Sequence, residues 1–279
     1  MKYLAFLITL FTLQFPCLVL ATASDIGFAE AQGRRPTMED AHCVAIQTHI
    51  AFFGLYDGHG GRNVADFAAQ HLHKNMFAAL QAGNHMHNAL EAGFVKTHKD
   101  LDAASFNSRT QGCTAIAAVL TDGKIYVANA GDSRAIICRA GKAIALSDDH
   151  KPNRPDEQAR IQKLGGKVIV KGVPRVNGRL AISRALGDKA LNPYVIPNPE
   201  IREQIITTDD DFLLIACDGV WDVLDNQAAI TITKTALNNN PGDFNRAADT
   251  LKNEALRRGS TDNVSVMVIN LKNYRPYSS

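Results

Sequence analysis

The sequence predicts an α+β fold, a central antiparallel β-sandwich with paired helices packed on its outside. Residues 114–146 contain short apolar segments separated by turn residues such as Gly131-Asp132, which is typical of an antiparallel meander. Apolar residues at helical spacing occur in two consecutive segments before this meander and in two more near the C-terminus. Strands and helices therefore do not alternate one by one, as βαβ units would require.

The individual elements are predicted in order along the chain. Asp225 is expected to cap the first of the two closing helices, and Gly259 to end the second. Residues 212–217 are apolar throughout, which indicates a central strand buried on both faces. Further strands are predicted at residues 41–50, 51–56, 114–120, 124–130, 134–139, 142–146 and 264–271, and further helices at 64–80, 84–101, after Pro155, and at 243–258.

Composition limits the classes of protein to consider. The chain has 279 residues, of which 46% are hydrophobic and 21% charged, and its formal net charge is +2. These values fit one globular domain with a two-layer core. No continuous basic block is present, so nucleic acid is not expected as the main partner.

The N-terminal residues carry the features of an export signal. Lys2 gives a positive start, an apolar segment follows, and residues 21–23 (ATA) match a small-x-small cleavage site. We therefore predict a signal peptide at residues 1–23 and a mature domain at residues 24–279, exported from the cytoplasm to the periplasm or the exterior. The alternative is a membrane anchor formed by uncleaved residues 4–20, although Gln14 and Pro16 interrupt that segment.

The remaining cysteines do not form a metal-binding or disulfide pattern. Cys43, Cys113, Cys138 and Cys217 lie within apolar, strand-like segments, and no Cys-x-x-Cys sequence occurs. Isolated cysteines in such segments usually serve as small hydrophobic residues. We expect free thiols in the core.

Three separated aspartates have a common local setting. Asp57, Asp218 and Asp262 each follow or precede an apolar segment and stand next to a residue that permits a sharp turn. Strand ends can bring such carboxylates into one site, where mutual repulsion raises at least one pKa unless cations neutralise them. The arrangement therefore predicts a site for divalent metal ions.

Over most of its length the chain resembles the metal-dependent serine/threonine protein phosphatases, the PPM or type 2C family. The resemblance covers residues 26–271 and rests on eight blocks in the family's order. These are residues 35–40 (RPTMED), 57–61 (DGHGG), 111–115 (QGCTA), 129–134 (NAGDSR), 149–152 (DHKP), 178–188 (GRLAISRALGD), 218–222 (DGVWD) and 261–263 (TDN).

The resemblance implies a four-layer αββα fold and two Mg²⁺ or Mn²⁺ ions. By this resemblance Asp57 bridges both ions, the Gly58 carbonyl binds one, and Asp218 and Asp262 bind the second. Asp132 corresponds to a third, weaker metal position shared with Asp218. Glu39 and Asp40 hold water molecules that are bound to the metals.

The resemblance also implies a reaction, the hydrolysis of phosphoserine and phosphothreonine in proteins. A hydroxide that bridges the two metals attacks phosphorus directly, and no phosphoenzyme forms. Arg35 holds the phosphate oxygens, and His59 protonates the leaving alkoxide unless it only ties down its loop. Arg184 is either a substrate contact or part of a structural ion pair.

Two alternatives remain open at this stage, a catalytically inactive binding module with the same fold and a phosphatase acting on a small phosphomonoester. A monomer with no stable membrane span is expected after signal cleavage.

Overall fold

The computed structural model describes residues 25–47 and 49–275. Within them the strands are β1 (Ile26–Ala31), β2 (Ala41–Gln47), β3 (Ile50–Tyr56), β4 (Gly58–His59), β5 (Gly112–Cys113), β6 (Ala115–Thr121), β7 (Lys124–Ala130), β8 (Arg134–Arg139), β9 (Lys142–Ala145), β10 (Val168–Lys171), β11 (Val173–Val176), β12 (Leu186–Gly187), β13 (Glu200–Ile205), β14 (Asp210–Ala216) and β15 (Val264–Asn270). The helices are α1 (Asn63–Gln81), α2 (Met86–Asp100), α3 (Pro155–Lys163), α4 (Asp218–Trp221), α5 (Asn226–Asn239) and α6 (Phe244–Arg257).

Two five-stranded antiparallel sheets form the centre of the fold. The first has the order β1-β15-β14-β8-β9, and the second has the order β13-β7-β6-β3-β2. Their facing surfaces pack through residues such as Phe53, Leu55 and Ile215. On β3 the neighbouring Phe52 and Tyr56 point to the opposite face, as the two-residue period of a strand requires. This double burial explains the unbroken apolar sequence of β3.

Paired helices cover both outer faces of the sandwich. Helices α1 and α2 pack on the second sheet, where Leu72 and Phe94 join the cluster that contains Phe52. Helices α5 and α6 pack on the first sheet, where Ile230 and Leu251 join a corresponding cluster. The resulting layer order is helix, sheet, sheet, helix, so the predicted α+β sandwich and its αββα layering are confirmed.

Most predicted elements are present with boundaries shifted by a few residues. The Asp225 side chain accepts a hydrogen bond from the Ala228 N–H, so the predicted helix cap is confirmed. The prediction did not include β1, β13 or the hairpin formed by β10 and β11. β1 and β13 are outer strands of their sheets, and β13 has the polar sequence EIREQI, so neither carries a fully apolar signature.

The β10–β11 hairpin stands apart from the two main sheets. Its strands pair with no other strand among the described residues, although Val176 forms an isolated bridge with Leu180, and Gly172 at the turn adopts a φ of +73°. One face of the hairpin carries Val176, which packs with Ile161 of α3 and with Ile182 in a small separate core. The hairpin is thereby fixed to α3, beside one end of the sandwich.

The cysteine prediction is confirmed for the described residues. Cys43, Cys113, Cys138 and Cys217 are free thiols, and all but Cys43 are buried. Among the described helices, none is both long and apolar enough to cross a membrane. The predicted signal peptide at residues 1–23 lies outside the described residues.

Candidate active site

The three aspartates singled out in the sequence meet at one end of the sandwich. They line an open cleft of about 390 Å³ together with Asp132. Asp57 follows β3 of the second sheet, whereas Asp218 follows β14 and Asp262 precedes β15, both in the first sheet. The cleft therefore lies where strand ends of the two sheets come together, as the sequence pattern predicted.

Asp57 and Asp218 lie close to other carboxylates of the site, which disfavours their ionised forms. Burial, and then repulsion from Asp40 and Asp218, raises the pKa of Asp57 well above its usual range. Burial, and then repulsion from Asp132, has the same effect on the pKa of Asp218. No described side chain donates a hydrogen bond to either carboxylate. Clustered carboxylates of this kind are typical ligands of hard divalent cations.

Asp40 lies beside Asp57, behind the residues that line the cleft. It is fully buried, and its Oδ2 accepts a hydrogen bond of 2.6 Å from Ser265 Oγ, while Oδ1 has no partner among the described residues. Burial raises the pKa of the Asp40 carboxyl to about 6. Ligand atoms of Asp40, Asp57 and Cys217 lie within 4.8 Å of one another. An unsatisfied carboxylate oxygen beside Asp57 fits a metal ion or a water molecule bound to one.

Arg35 lies at the rim of the cleft, where its guanidinium pairs with Asp262 Oδ2. Asn263 holds the loop that carries Arg35, because its Nδ2 donates to the carbonyls of Gln32 and Thr37, at 2.8 and 3.0 Å. The same side chain accepts a hydrogen bond of 2.8 Å from the Glu39 N–H. Sequence reasoning placed Asn263 in a motif without giving it a role, and the structure shows that it positions the phosphate-binding candidate.

Glu39 connects two loops of the site. Its carboxylate accepts hydrogen bonds of 2.9 Å from the Gly61 N–H and from Thr37 Oγ1. Gly58 passes so close to Glu39 that a Cβ on it would lie 2.3 Å from the Glu39 carbonyl oxygen. Only glycine allows this approach, which places the Asp57-Gly58 turn at the floor of the cleft.

His59 has a partner that sequence reasoning did not identify. Its Nε2 lies 2.6 Å from Oδ2 of the buried Asp188, and no described group bonds its Nδ1. The pair is packed against the backbone, since a Cβ on Gly112 would lie 2.0 Å from Asp188 Oδ2. In the sequence, the place of Asp188 at the end of the block 178–188 was the available signal.

Asp132 is held by a lysine. Its Oδ2 accepts a hydrogen bond from Lys151 Nζ. Burial alone would lower the pKa of Lys151, but the negative charge of Asp132 outweighs it, so the ammonium group stays charged. A third metal at Asp132 would therefore have to compete with Lys151. Sequence reasoning did not single out this lysine.

Of the two roles left open for Arg184, the contacts in the structure favour the structural ion pair. Its Nε and Nη2 donate to Glu157 Oε1 at 3.1 and 2.7 Å, and its Nη1 donates to the Asn198 carbonyl at 3.0 Å. The side chain is absent from the lining of the cleft. Because all of these partners lie within the protein, Arg184 belongs to the structural ion pair that was the other possibility.

Comparison with known proteins agrees with the geometry. The family model described as protein phosphatase 2C matches residues 24–264. A rice protein named probable protein phosphatase 2C 59 is 40% identical over 248 residues, which cover 87% of this chain and 74% of the relative. Probable protein phosphatase 2C 69 of Arabidopsis thaliana is 39% identical over 258 residues, covering 91% of this chain and 72% of the relative.

Solved structures show the same fold. A phosphatase from a pathogenic strain of Toxoplasma gondii superimposes with a TM-score of 0.81 at 25% identity, covering 90% of this chain and 93% of that one. A sex-determining protein of C. elegans gives a TM-score of 0.84 at 25% identity, over 90% of this chain and 65% of that one. By sequence and by fold, this chain belongs to the protein phosphatase 2C family of metal-dependent protein serine/threonine phosphatases.

Proposed function

We propose that this phosphatase uses two Mg²⁺ or Mn²⁺ ions to hydrolyse phosphoserine and phosphothreonine by direct attack of water on phosphorus. Asp57, the Gly58 carbonyl, Asp218 and Asp262 would hold the ions. The observation that carries the proposal is the pair of half-buried carboxylates, Asp57 and Asp218, which face the cleft with raised pKa values and no donor among the described side chains. Oxygen donors favour these hard cations over thiophilic ones. When bound, such ions lower the pKa of coordinated water and neutralise phosphate charge.

The protein's own residues bind and protonate the substrate in this proposal. Arg35 is more than half exposed at the rim, where its planar guanidinium can form two parallel hydrogen bonds with phosphate oxygens. His59 would donate a proton to the leaving serine or threonine oxygen. Its Nε2 is engaged by Asp188, so Nδ1 is the ring nitrogen available for that transfer.

The metal requirement is tested by assaying the purified protein on a phosphothreonine peptide. We expect turnover with Mn²⁺ or Mg²⁺ and none in EDTA, so equal rates in EDTA would refute the proposal. A sugar phosphate serves as the second substrate, since a higher kcat/KM on it would favour an enzyme of small phosphomonoesters. Calorimetry that shows no Mn²⁺ binding would instead favour an inactive binding module.

We also propose that the protein is exported by cleavage after Ala23 and acts as a monomer. The support is the charged start, apolar segment and small-x-small site at residues 1–23. Mass spectrometry of the protein from fractionated cells should find Ser24 as the mature N-terminus. Met1 retained in a cytosolic fraction would contradict export, and retention in the membrane would favour an anchor at residues 4–20. Light scattering should give the monomer mass.

A further inference from the structure

One segment beside the cleft carries an unusual excess of positive charge. Residues 158–187 contain seven lysines and arginines and no aspartate or glutamate, although the net charge of the chain is only +2. Arg160 and Arg184 both form ion pairs with Glu157, and Arg184 also lies 3.4 Å from Glu200. The other five form no ion pair with any residue in the described ranges; they are Lys163, Lys167, Lys171, Arg175 and Arg179. We call residues 163–179, which include the β10–β11 hairpin, the basic flap.

The hairpin presents a mixed basic and apolar face on the side of the cleft. Arg175 lines the same cleft as Arg35 and the metal-site aspartates. The pairing of β10 with β11 places Ile169 opposite Arg175 and Lys171 opposite Val173, so these four residues share one face. Ile169 and Val173 are 38% and 48% exposed, which leaves them available to a partner.

Arg175 is held in place by a hydrogen bond, but it forms no ion pair with a described residue. Its Nη1 donates a hydrogen bond of 2.9 Å to the Arg179 carbonyl, and the side chain is partly buried. The opposite face of the hairpin is packed through Val176 against α3. Lys167 N–H also donates to Asn177 Oδ1 at 2.8 Å. The guanidinium is thus held on a fixed support beside the cleft, with its charge unpaired within the described residues.

We propose that the basic flap recognises an anionic side chain close to the phosphorylated residue of the protein substrate. Arg175 would bind this second anion, and Lys167, Lys171 and Arg179 would attract the acidic segment around it. The guanidinium fork suits either a carboxylate or a second phosphate. Residues 163–179 contain no aromatic side chain on which bases could stack, so single-stranded nucleic acid fits this face poorly. The proposal rests on the proposed function and names its substrate class.

The first experiment compares phosphothreonine peptides that differ at flanking positions. One peptide carries glutamates there, the second carries glutamines, and the third carries one phosphoserine. We expect kcat/KM about threefold to tenfold higher for the acidic peptide, mainly through KM, with the difference shrinking as salt is added. The third peptide distinguishes recognition of a carboxylate from recognition of a second phosphate. Equal kcat/KM for all three would overturn the proposal.

A second experiment assigns the preference to the flap. In Arg175→Gln, and in the triple variant Lys167→Gln, Lys171→Gln, Arg179→Gln, the ratio of kcat/KM for acidic over neutral peptide should fall towards one. Lys142→Gln is the matched control, because Lys142 is an exposed lysine of β9 without an ion pair in the described residues. It should keep the wild-type ratio. Unchanged ratios in both flap variants would overturn the proposal.

Two further measurements distinguish this proposal from the proposed catalytic function and from binding to an anionic membrane. Turnover of an aryl phosphate by the wild-type protein reports the chemistry alone, so its failure would count against the proposed function and not against the flap. Sedimentation with phosphatidylserine vesicles tests an anionic membrane as the partner. Binding to vesicles that the triple variant loses, without any peptide preference, would overturn the assignment to a protein substrate.

Discussion

Ionisation of Asp57 and Asp218 destabilises the folded protein, because burial and neighbouring carboxylates raise the pKa of both. An aspartate whose folded-state pKa is raised contributes stability while it is protonated. That contribution is lost as pH rises from the unfolded pKa, about 4, through the folded pKa. Without metal, the protein should therefore lose stability as pH rises above about 4.

Asp218→Asn tests this residue-level balance. The substitution removes one repelling charge, so the metal-free variant should melt a few degrees higher than the metal-free wild type at neutral pH. It should also lose turnover, because a predicted metal ligand is gone. Thermal unfolding followed by circular dichroism and a phosphopeptide assay measure both effects. Full activity in the variant would refute the assignment of Asp218 as a ligand.

The His59–Asp188 pair allows a second prediction at the scale of single residues. His59→Gln should lower turnover of a phosphothreonine peptide by about 10²-fold or more, since an alkoxide leaves poorly without a proton. An aryl phosphate has a more stable leaving group and should be affected much less. Asp188→Asn should also lower turnover of the phosphothreonine peptide more than turnover of the aryl phosphate, but by a smaller factor than His59→Gln does. Equal losses on both substrates would show that His59 serves only to hold its loop.

Among the secondary-structure elements, α3 owes its position to a buried carboxylate. Glu157 is almost fully buried and bonds Arg160 and Arg184, which joins α3 to the segment after the hairpin. Burial alone would raise the pKa of Glu157, but hydrogen bonds from the two arginines hold it well below its usual range. Its stabilising contribution is therefore present above the unfolded pKa and is lost as pH falls through the folded one.

Glu157→Gln should destabilise the protein by about 3 kcal/mol at neutral pH, because it leaves two arginines without their buried partner. The loss should diminish under acidic conditions, where the wild type is also protonated. Urea unfolding across a pH series measures this. Glu203→Gln is the control, because Glu203 pairs with Lys124 on the surface, and it should change stability by less than about 1 kcal/mol. Similar values for both variants would contradict a structural role for Glu157.

Elements with strong local signatures could be predicted from sequence, and those that depend on distant partners could not. The capped helix at Asp225 and the buried β3 follow from neighbouring residues alone. The edge strand β13 is polar and is fixed by its pairing with β7. The positive charges of the basic flap stand four residues apart, so a search for a continuous basic block misses them, and only the missing carboxylates reveal their excess.

At the scale of the whole molecule, the site is a junction between the two sheets. The convergence of Asp57, Asp218 and Asp262 could be predicted because each ends or begins an apolar strand. The pairing of His59 with Asp188 could not, since 129 positions separate them and no local pattern connects them. The same holds for Asn263 and the Glu39 loop, 224 positions apart. The first contact arises because β4 and β12 both pair with β5 in a small three-stranded sheet, and the second because the residues before β15 and before β2 meet at the site.

Because Asp57 belongs to one sheet and Asp218 and Asp262 to the other, an ion bound by all three would connect the two halves of the sandwich. A ligand that binds only the folded state stabilises it by mass action, by about 2.7 kcal/mol at a hundred times its Kd. For a domain of this size, Mn²⁺ should therefore raise Tm by about 5–10 °C, and EDTA should reverse the shift. Asp218→Asn should show little of this shift, although its metal-free Tm is expected to be higher. Calorimetry of both proteins with and without Mn²⁺ provides the test, and an equal shift in the variant would place the stabilising ion elsewhere.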